Sequence, residues 1–174
     1  MLGLSALSFH AAMAHGTAVA RHGGVVATAS DRMIVIADAA KEVAQLGAFP
    51  LPVEVVRFGW QTTKALVEET LVSMDVLNRD VSLRMNGDRP LVTDESNYIL
   101  DLHLKRIGNP RQLALVLNQI PGVVENGLFI DICDIVVIGH GDGRVVVRDI
   151  NAGSETDGRI LFAPTDNIFS DLGD

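Results

Sequence analysis

Apolar and polar positions change period several times along this chain, and each change predicts an element. Met33 to Ala37, within "SDRMIVIAD", is an uninterrupted apolar run and predicts a strand covered on both faces. "AAKEVAQLG" follows as a short helix closed by Gly47. Pro50 and Pro52 then force an extended segment, since each proline restrains its own φ and its predecessor's backbone, and "PVEVV" leaves that segment as a strand. Residues 59–74 carry Trp60, Leu66, Val67, Leu71 and Met74 as a helical stripe. "VSLRMN" and "YILDLHL" alternate as strands about the turn "NGDRP". "NPRQLALVLNQIPG" predicts a helix over 110–120, with Pro110 at its start and Pro121-Gly122 at its end, and "VVENGLFI" predicts a strand.

Between residues 53 and 130 the order is therefore β-α-β-β-α-β, which predicts a ferredoxin-like antiparallel sheet with two helices on one face. "DIVVIGHGDGRVVVRD" reads as two strands about a glycine turn. Gly139, Gly141 and Gly143 suggest a hairpin rather than a phosphate loop, because no helix follows whose N-terminus could meet an anion. The closing stretch after Arg148 carries six acids against Arg159 and reads as a loosely docked acidic tail.

Charge narrows the chemistry. The net charge of −8, with no cluster of Lys and Arg, excludes a nucleic-acid partner. Cys133 is the single cysteine, so no disulfide forms within the chain. A reducing, cytoplasmic compartment is expected, with Cys133 as a core residue inside "LFIDICDIVVIG". No apolar stretch approaches the ~20 residues of a membrane-spanning helix. The opening "MLGLSALSFHAAMAHG" lacks the basic n-region of a secretion signal, and Ser5, Ser8 and His10 interrupt its apolar stretch. His10, His15 and His22 fall at spacings that fit no compact ligand motif, so no metal site is expected.

The stretch from Ala27 to Val147 resembles the type A ribose-5-phosphate isomerases. The matching pieces are "ASDRMIVIAD", "AAKEV", "LGAFPLPVEVV", "FGW", "VTD", "NYILDL", "IPGVVENGLF" and "DIVVIGHGDG", all in family order. The resemblance implies an α/β fold with an inserted α+β subdomain, in which a partial nucleotide-binding-like (Rossmann-like) layer accompanies the ferredoxin-like domain. It implies four regions: a divergent leader over 1–30, a partial α/β domain over 31–52 and 131–148, the ferredoxin-like subdomain over 53–130, and the acidic tail over 149–174. It further implies ribose 5-phosphate and ribulose 5-phosphate as substrates, interconverted through an enediol without metal or other cofactor, in a homo-oligomer that binds neither nucleic acid nor membrane.

By resemblance, Lys41 contacts the phosphorylated sugar; spacing alone would make it a solvated helix residue. The family's catalytic glutamate has no counterpart, since its position falls on Gly23, between His22 and Gly24. The Thr-Gly-Ser-Thr loop that holds phosphate is absent too, and residues before Val25 and after Arg148 do not match. The expectation is therefore an isomerase by ancestry, truncated and catalytically impaired as given. The alternative is a non-catalytic assembly or ligand-binding module built on the ferredoxin-like subdomain, because that fold serves many functions.

Overall fold

A computed structural model of the chain describes residues 29–131 and 133–159. These fall into two compact units, one comprising 29–32 and 40–131, the other 33–39 and 133–159.

The first unit runs β2 (Leu51–Val55), α1 (Trp60–Leu71), β3 (Asp80–Leu83), β4 (Met85–Asn86), β5 (Arg89–Pro90), β6 (Tyr98–His103), α2 (Pro110–Leu117) and β7 (Val123–Asn126). Four strands form an antiparallel sheet in the order β3-β6-β2-β7, while β4 and β5 pair as a small separate hairpin. Alternation aims Val53 and Val55 of β2, Leu100 and Leu102 of β6, and Val81 of β3 at one face. There they share a core with Val67 and Leu71 of α1 and Leu113 and Leu117 of α2. Both helices therefore cover the same side, as the periodicity required. Complete burial of each such leucine or valine stabilises the unit by roughly 1.5–3 kcal/mol.

Local chemistry sets the helix ends. Gly59 stands at the N-cap of α1 with φ of 66°, and its carbonyl accepts from the Thr62 and Thr63 N–H groups. At α2, the Asn109 side chain accepts from Gln112 N, and Pro110 occupies the first turn, where its missing N–H costs nothing. Pro52 lies inside β2 rather than ahead of it. It is the strand's second residue, preceding Val53, where the ladder with β7 begins.

The second unit is a single sheet in the order β1-β8-β9-β10, with β1 at Ile34–Asp38, β8 at Ile135–Gly139, β9 at Arg144–Asp149 and β10 at Ser154–Arg159. β1 and β8 pair in parallel, from Ile34 opposite Ile135 to Asp38 opposite Gly139, so the two apolar runs are neighbours as expected. Their burial departs from expectation. Val35, Val136 and Ile138 are buried on one face, whereas Ile34 is 53% and Ile36 76% exposed on the other.

Three further readings need correction. The helix expected over 39–47 is only a 3-10 turn at Ala39–Lys41. Beyond it, Leu46 is buried in the first unit's core, its carbonyl accepts from Ile107 N, and Gly47 lies against the Arg106 backbone, so tertiary contacts override a short helical tendency. The acidic stretch after Arg148 is not uniformly loose, because β10 pairs with β9 over six residue pairs from Ser154–Asp149 to Arg159–Arg144. Cys133 is half-buried rather than core.

Candidate functional site

In open α/β sheets, ligands bind outside the carboxyl ends of the parallel strands. In the second unit those ends are Asp38 of β1 and Gly139 of β8, which stand opposite each other. The chain leaves β8 through a tight turn over 140–143, in which His140 N donates to Arg144 O and Gly143, with φ of 83°, donates to His140 O. This is the turn of an antiparallel hairpin between β8 and β9. Asp142 accepts from Arg144 N, and that backbone donor is the main cause holding its carboxyl below the usual carboxylate range. The Arg144 guanidinium lies 3.1 Å from His140 Nε2 and 3.4 Å from Asp157 Oδ2, so the turn is ringed by paired charge.

Lys41 ends the 3-10 turn that follows β1 and is half-buried. Its ammonium makes no hydrogen bond or ion pair with another described residue. Gly23, the expected position of the base, lies outside the described residues. No group of His, Cys, Asp and Glu among the described residues could hold a metal ion. The Cys133 thiol donates to Ile135 O at 3.0 Å, and burial pushes it above its ordinary value, which disfavours the nucleophilic thiolate.

A second polar arrangement, in the first unit, was not read from the sequence. Glu54 is buried in the middle of β2, on the sheet face opposite the Val53–Val55 core. Its carboxylate accepts from Thr93 Oγ1 at 2.8 Å and Asn97 Nδ2 at 3.0 Å. The Thr93 hydroxyl accepts from Asn97 N, and Ser96 is held at φ of 65° between them. On the same face Arg84 donates to both carboxylate oxygens of Asp101, and the Ser82 hydroxyl meets His103 Nε2 at 2.9 Å. The clue in the sequence was Glu54 itself, a charge inside "PVEVV". Its partners, 39 and 43 residues away, could not be named from pattern.

The described residues form a mixed α/β fold, with one parallel strand pair beside antiparallel sheets. A solved D-ribose-5-phosphate isomerase in complex with phospho-erythronic acid is similar at a TM-score of 0.64 and 35% identity, covering 74% of this chain and 54% of that one. The ribose 5-phosphate isomerase A of Methanocaldococcus jannaschii is similar at 0.64 and 28% identity, covering 75% and 55%. The chain belongs to the ribose 5-phosphate isomerase A (phosphoriboisomerase A) family, whose sequence model matches residues 9–143. It is 73% identical over 150 residues to the ribose-5-phosphate isomerase A of Ruegeria pomeroyi, covering 86% of this chain and 57% of that protein. The chain thus spans somewhat over half the length of the curated relatives it matches.

These matches correct the expected flanks. The family match opens at residue 9, inside the stretch read as an unrelated leader. The 150 residues shared with the Ruegeria protein also exceed the 124 between Val25 and Arg148. Kinship therefore extends past the motifs that revealed it. Short motifs mark where chemistry constrains a sequence, and they underestimate how far ancestry extends.

Proposed function

We propose that this chain corresponds to part of a ribose-5-phosphate isomerase, an enzyme of ribose 5-phosphate and ribulose 5-phosphate, and that it is catalytically impaired as given. The 73% identity over 150 residues to a protein of that name carries the reading. In this reading the first unit is the inserted ferredoxin-like subdomain, since its sheet order β3-β6-β2-β7 and paired helices have that topology. The second unit is a partial nucleotide-binding-like layer, and the α/β regions at 31–52 and 131–148 flank the insert over 53–130. The enzyme works without metal as a homo-oligomer, in the reducing cytoplasm that its single cysteine suits. Among the described residues no helix is long and apolar enough to cross a membrane.

The reaction moves a proton between adjacent carbons through an enediol, so it needs a positioned base and donors for the developing oxyanion. Lys41 supplies a cation for the phosphate end of the substrate. Its ammonium is a point charge on a flexible stem, suited to attraction rather than to bidentate clamping. The family's base position falls on Gly23, whose lack of a side chain leaves no proton acceptor there. The 174-residue chain alone therefore binds sugar phosphate weakly and turns it over little, because a positioned general base contributes ~10²–10⁴-fold.

The test pairs calorimetric titration of ribose 5-phosphate with a coupled assay for ribulose 5-phosphate, on the chain and on Lys41→Ala. Weak binding lost in Lys41→Ala, with little turnover in either protein, is the expected result. Turnover of roughly 1–10³ s⁻¹ would reject the vacant-base assignment, and binding unchanged by Lys41→Ala would reject the role of the lysine.

A further inference from the structure

Asn-Gly occurs twice in the sequence, at Asn86-Gly87 and Asn126-Gly127, and the fold treats the two pairs oppositely. Asn126 ends β7 and is 4% exposed. Its side-chain amide donates to Asn118 Oδ1 at 2.8 Å and to Ala114 O at 3.3 Å, while its Oδ1 accepts from Leu128 N at 3.0 Å. Gly127 N donates to Pro52 O at 2.9 Å. Asn86 ends β4 instead, and every residue from Met85 to Arg89 is exposed. Neither its side chain nor the Gly87 N–H makes a hydrogen bond with another described residue. Strands β4 and β5 pair with each other alone, through Met85 opposite Pro90 and Asn86 opposite Arg89. A two-stranded hairpin of that size is marginal by itself, so its tip opens far more readily than the core.

We propose that Asn86-Gly87 is a self-modification site, at which the asparagine converts through a cyclic imide to aspartate and isoaspartate. The Gly87 nitrogen attacks Asn86 Cγ, so that a new Cγ–N bond forms and the Cγ–Nδ2 bond breaks. The amide proton of Gly87 departs with Nδ2 as ammonia. Water then opens the ring at either carbonyl. Opening at Cγ restores the main chain and gives aspartate, whereas opening at the main-chain carbonyl routes the chain through Cβ and Cγ as isoaspartate. Water is the co-reactant, and nothing is oxidised or reduced. A side chain on the attacking residue would crowd this approach, and Gly87 has none. The surroundings do not crowd it either, since even an added Cβ at Gly87 would meet nothing within 4 Å. At Asn126 the attacking nitrogen is engaged by Pro52 O, the amide is fixed on two acceptors, and the site is buried, so reaction there waits for the core to open.

Either product places a new carboxylate beside Asp88 and across from Arg89. Isoaspartate also lengthens the main chain by one methylene, which breaks the pairing of Asn86 with Arg89. The hairpin springs from Arg84, whose N–H donates to Ile99 O and whose guanidinium holds Asp101. That anchor confines the change to the hairpin and leaves the core intact. The site lies outside the sugar-phosphate reading and holds whether or not that reading does.

The test incubates the full 174-residue chain in mildly alkaline buffer, native and in urea, and follows the peptides containing Asn86 and Asn126 by chromatography and mass spectrometry. The products replace an amide NH2 by OH, and aspartate and isoaspartate elute apart. In the native chain Asn86 should convert at least ~100-fold faster than Asn126, because a folded core is ordinarily favoured over its open form by ~10³ or more. The two rates should converge in urea. Conversion at Asn86 should quicken as pH rises, since the attacking nitrogen must lose its proton. Gly87→Ala should slow it, and Asn86→Gln, which needs a larger ring, should stop it, with Trp60 fluorescence verifying the fold of each variant. Native Asn86 that stays as intact as Asn126, while both convert in urea, overturns the proposal, because the hairpin then holds the amide out of reach. Equal rapid conversion of both asparagines in the native chain overturns the claim that the fold selects between them. Aspartate formed without isoaspartate, or a rate indifferent to Gly87→Ala, overturns the cyclic route.

Discussion

Gly47 and Gly87 both hold positive φ, at 112° and 62°, yet their surroundings differ, and replacing each by alanine separates backbone strain from close approach. At Gly87, in the turn between β4 and β5, an added Cβ meets nothing within 4 Å. Gly87→Ala therefore costs only the left-handed conformation, ~1–2 kcal/mol. At Gly47 the same Cβ would stand 2.7, 2.8 and 2.9 Å from the N, Cα and C atoms of Arg106. Those are backbone atoms and cannot swing aside. Arg106 N donates to Leu104 O, and its neighbour Ile107 donates back to Leu46 O. Overpacking adds ~1–3 kcal/mol to the conformational cost, so Gly47→Ala should lose ~2–5 kcal/mol in all. That is a large part of the ~5–15 kcal/mol that holds an ordinary domain together. Urea unfolding followed by Trp60 fluorescence reports on the first unit, since the chain's single tryptophan lies there. Equal midpoints for the two variants at unchanged slope would refute the argument, because the Arg106 contact and the wider φ of Gly47 both lower the midpoint of Gly47→Ala.

Glu54→Ala strands the Thr93 hydroxyl and the Asn97 amide beneath the loop, and should cost ~2–4 kcal/mol by the same unfolding measurement, with Glu54→Gln costing less. Val136→Asp, at a fully buried position, should abolish folding of the second unit as read by circular dichroism, whereas Ile36→Asp in the isolated chain should stay within about 0.5 kcal/mol of the parent. Burial raises the Cys133 thiol, so the folded state holds that proton more tightly than the unfolded chain. Its contribution is intact below the ordinary thiol range and is lost as pH rises through the higher folded value. Alkylation of Cys133 should accordingly reach half its maximal rate at a higher pH in the native chain than in urea, and coincident profiles would refute the assignment.

How much was legible depended on whether an element's reason lay inside its own sequence. Helices α1 and α2 did: of the stripe read for α1, Val67 and Leu71 are buried and Trp60, Leu66 and Met74 pack against the same core, while Pro110 opens α2 as its position required. The parallel neighbours β1 and β8 did as well. The 39–47 helix did not, since Leu46 and Gly47 are claimed by Ile107 and Arg106, about sixty residues on. Strand β10 has no apolar residue to announce it. "SETDGR" becomes a strand because β9 offers it a ladder, with Arg148 pairing Glu155 directly across and Arg144 reaching Asp157. Lys41 is singled out only through kinship, and Glu54 was visible as an anomaly whose partners were not.

The apolar run at 33–37 shows why a failed burial expectation can carry information. Hydrophobic pattern records the environment in which a sequence is stable, and that environment includes whatever the chain contacts beyond the described residues. Val35 is 2% exposed and Ile36 76%, although neither is polar and both lie mid-strand. A sequence suited to a sheet with one solvated face would alternate, as β6 does, where Asp101 and His103 alternate with Leu100 and Leu102. β1 does not alternate, so its composition fits burial on both faces while the described residues supply only one. Ile34 and Ile36 therefore match a covered face in composition and an open one in exposure, and that mismatch is what the pattern alone did not foretell.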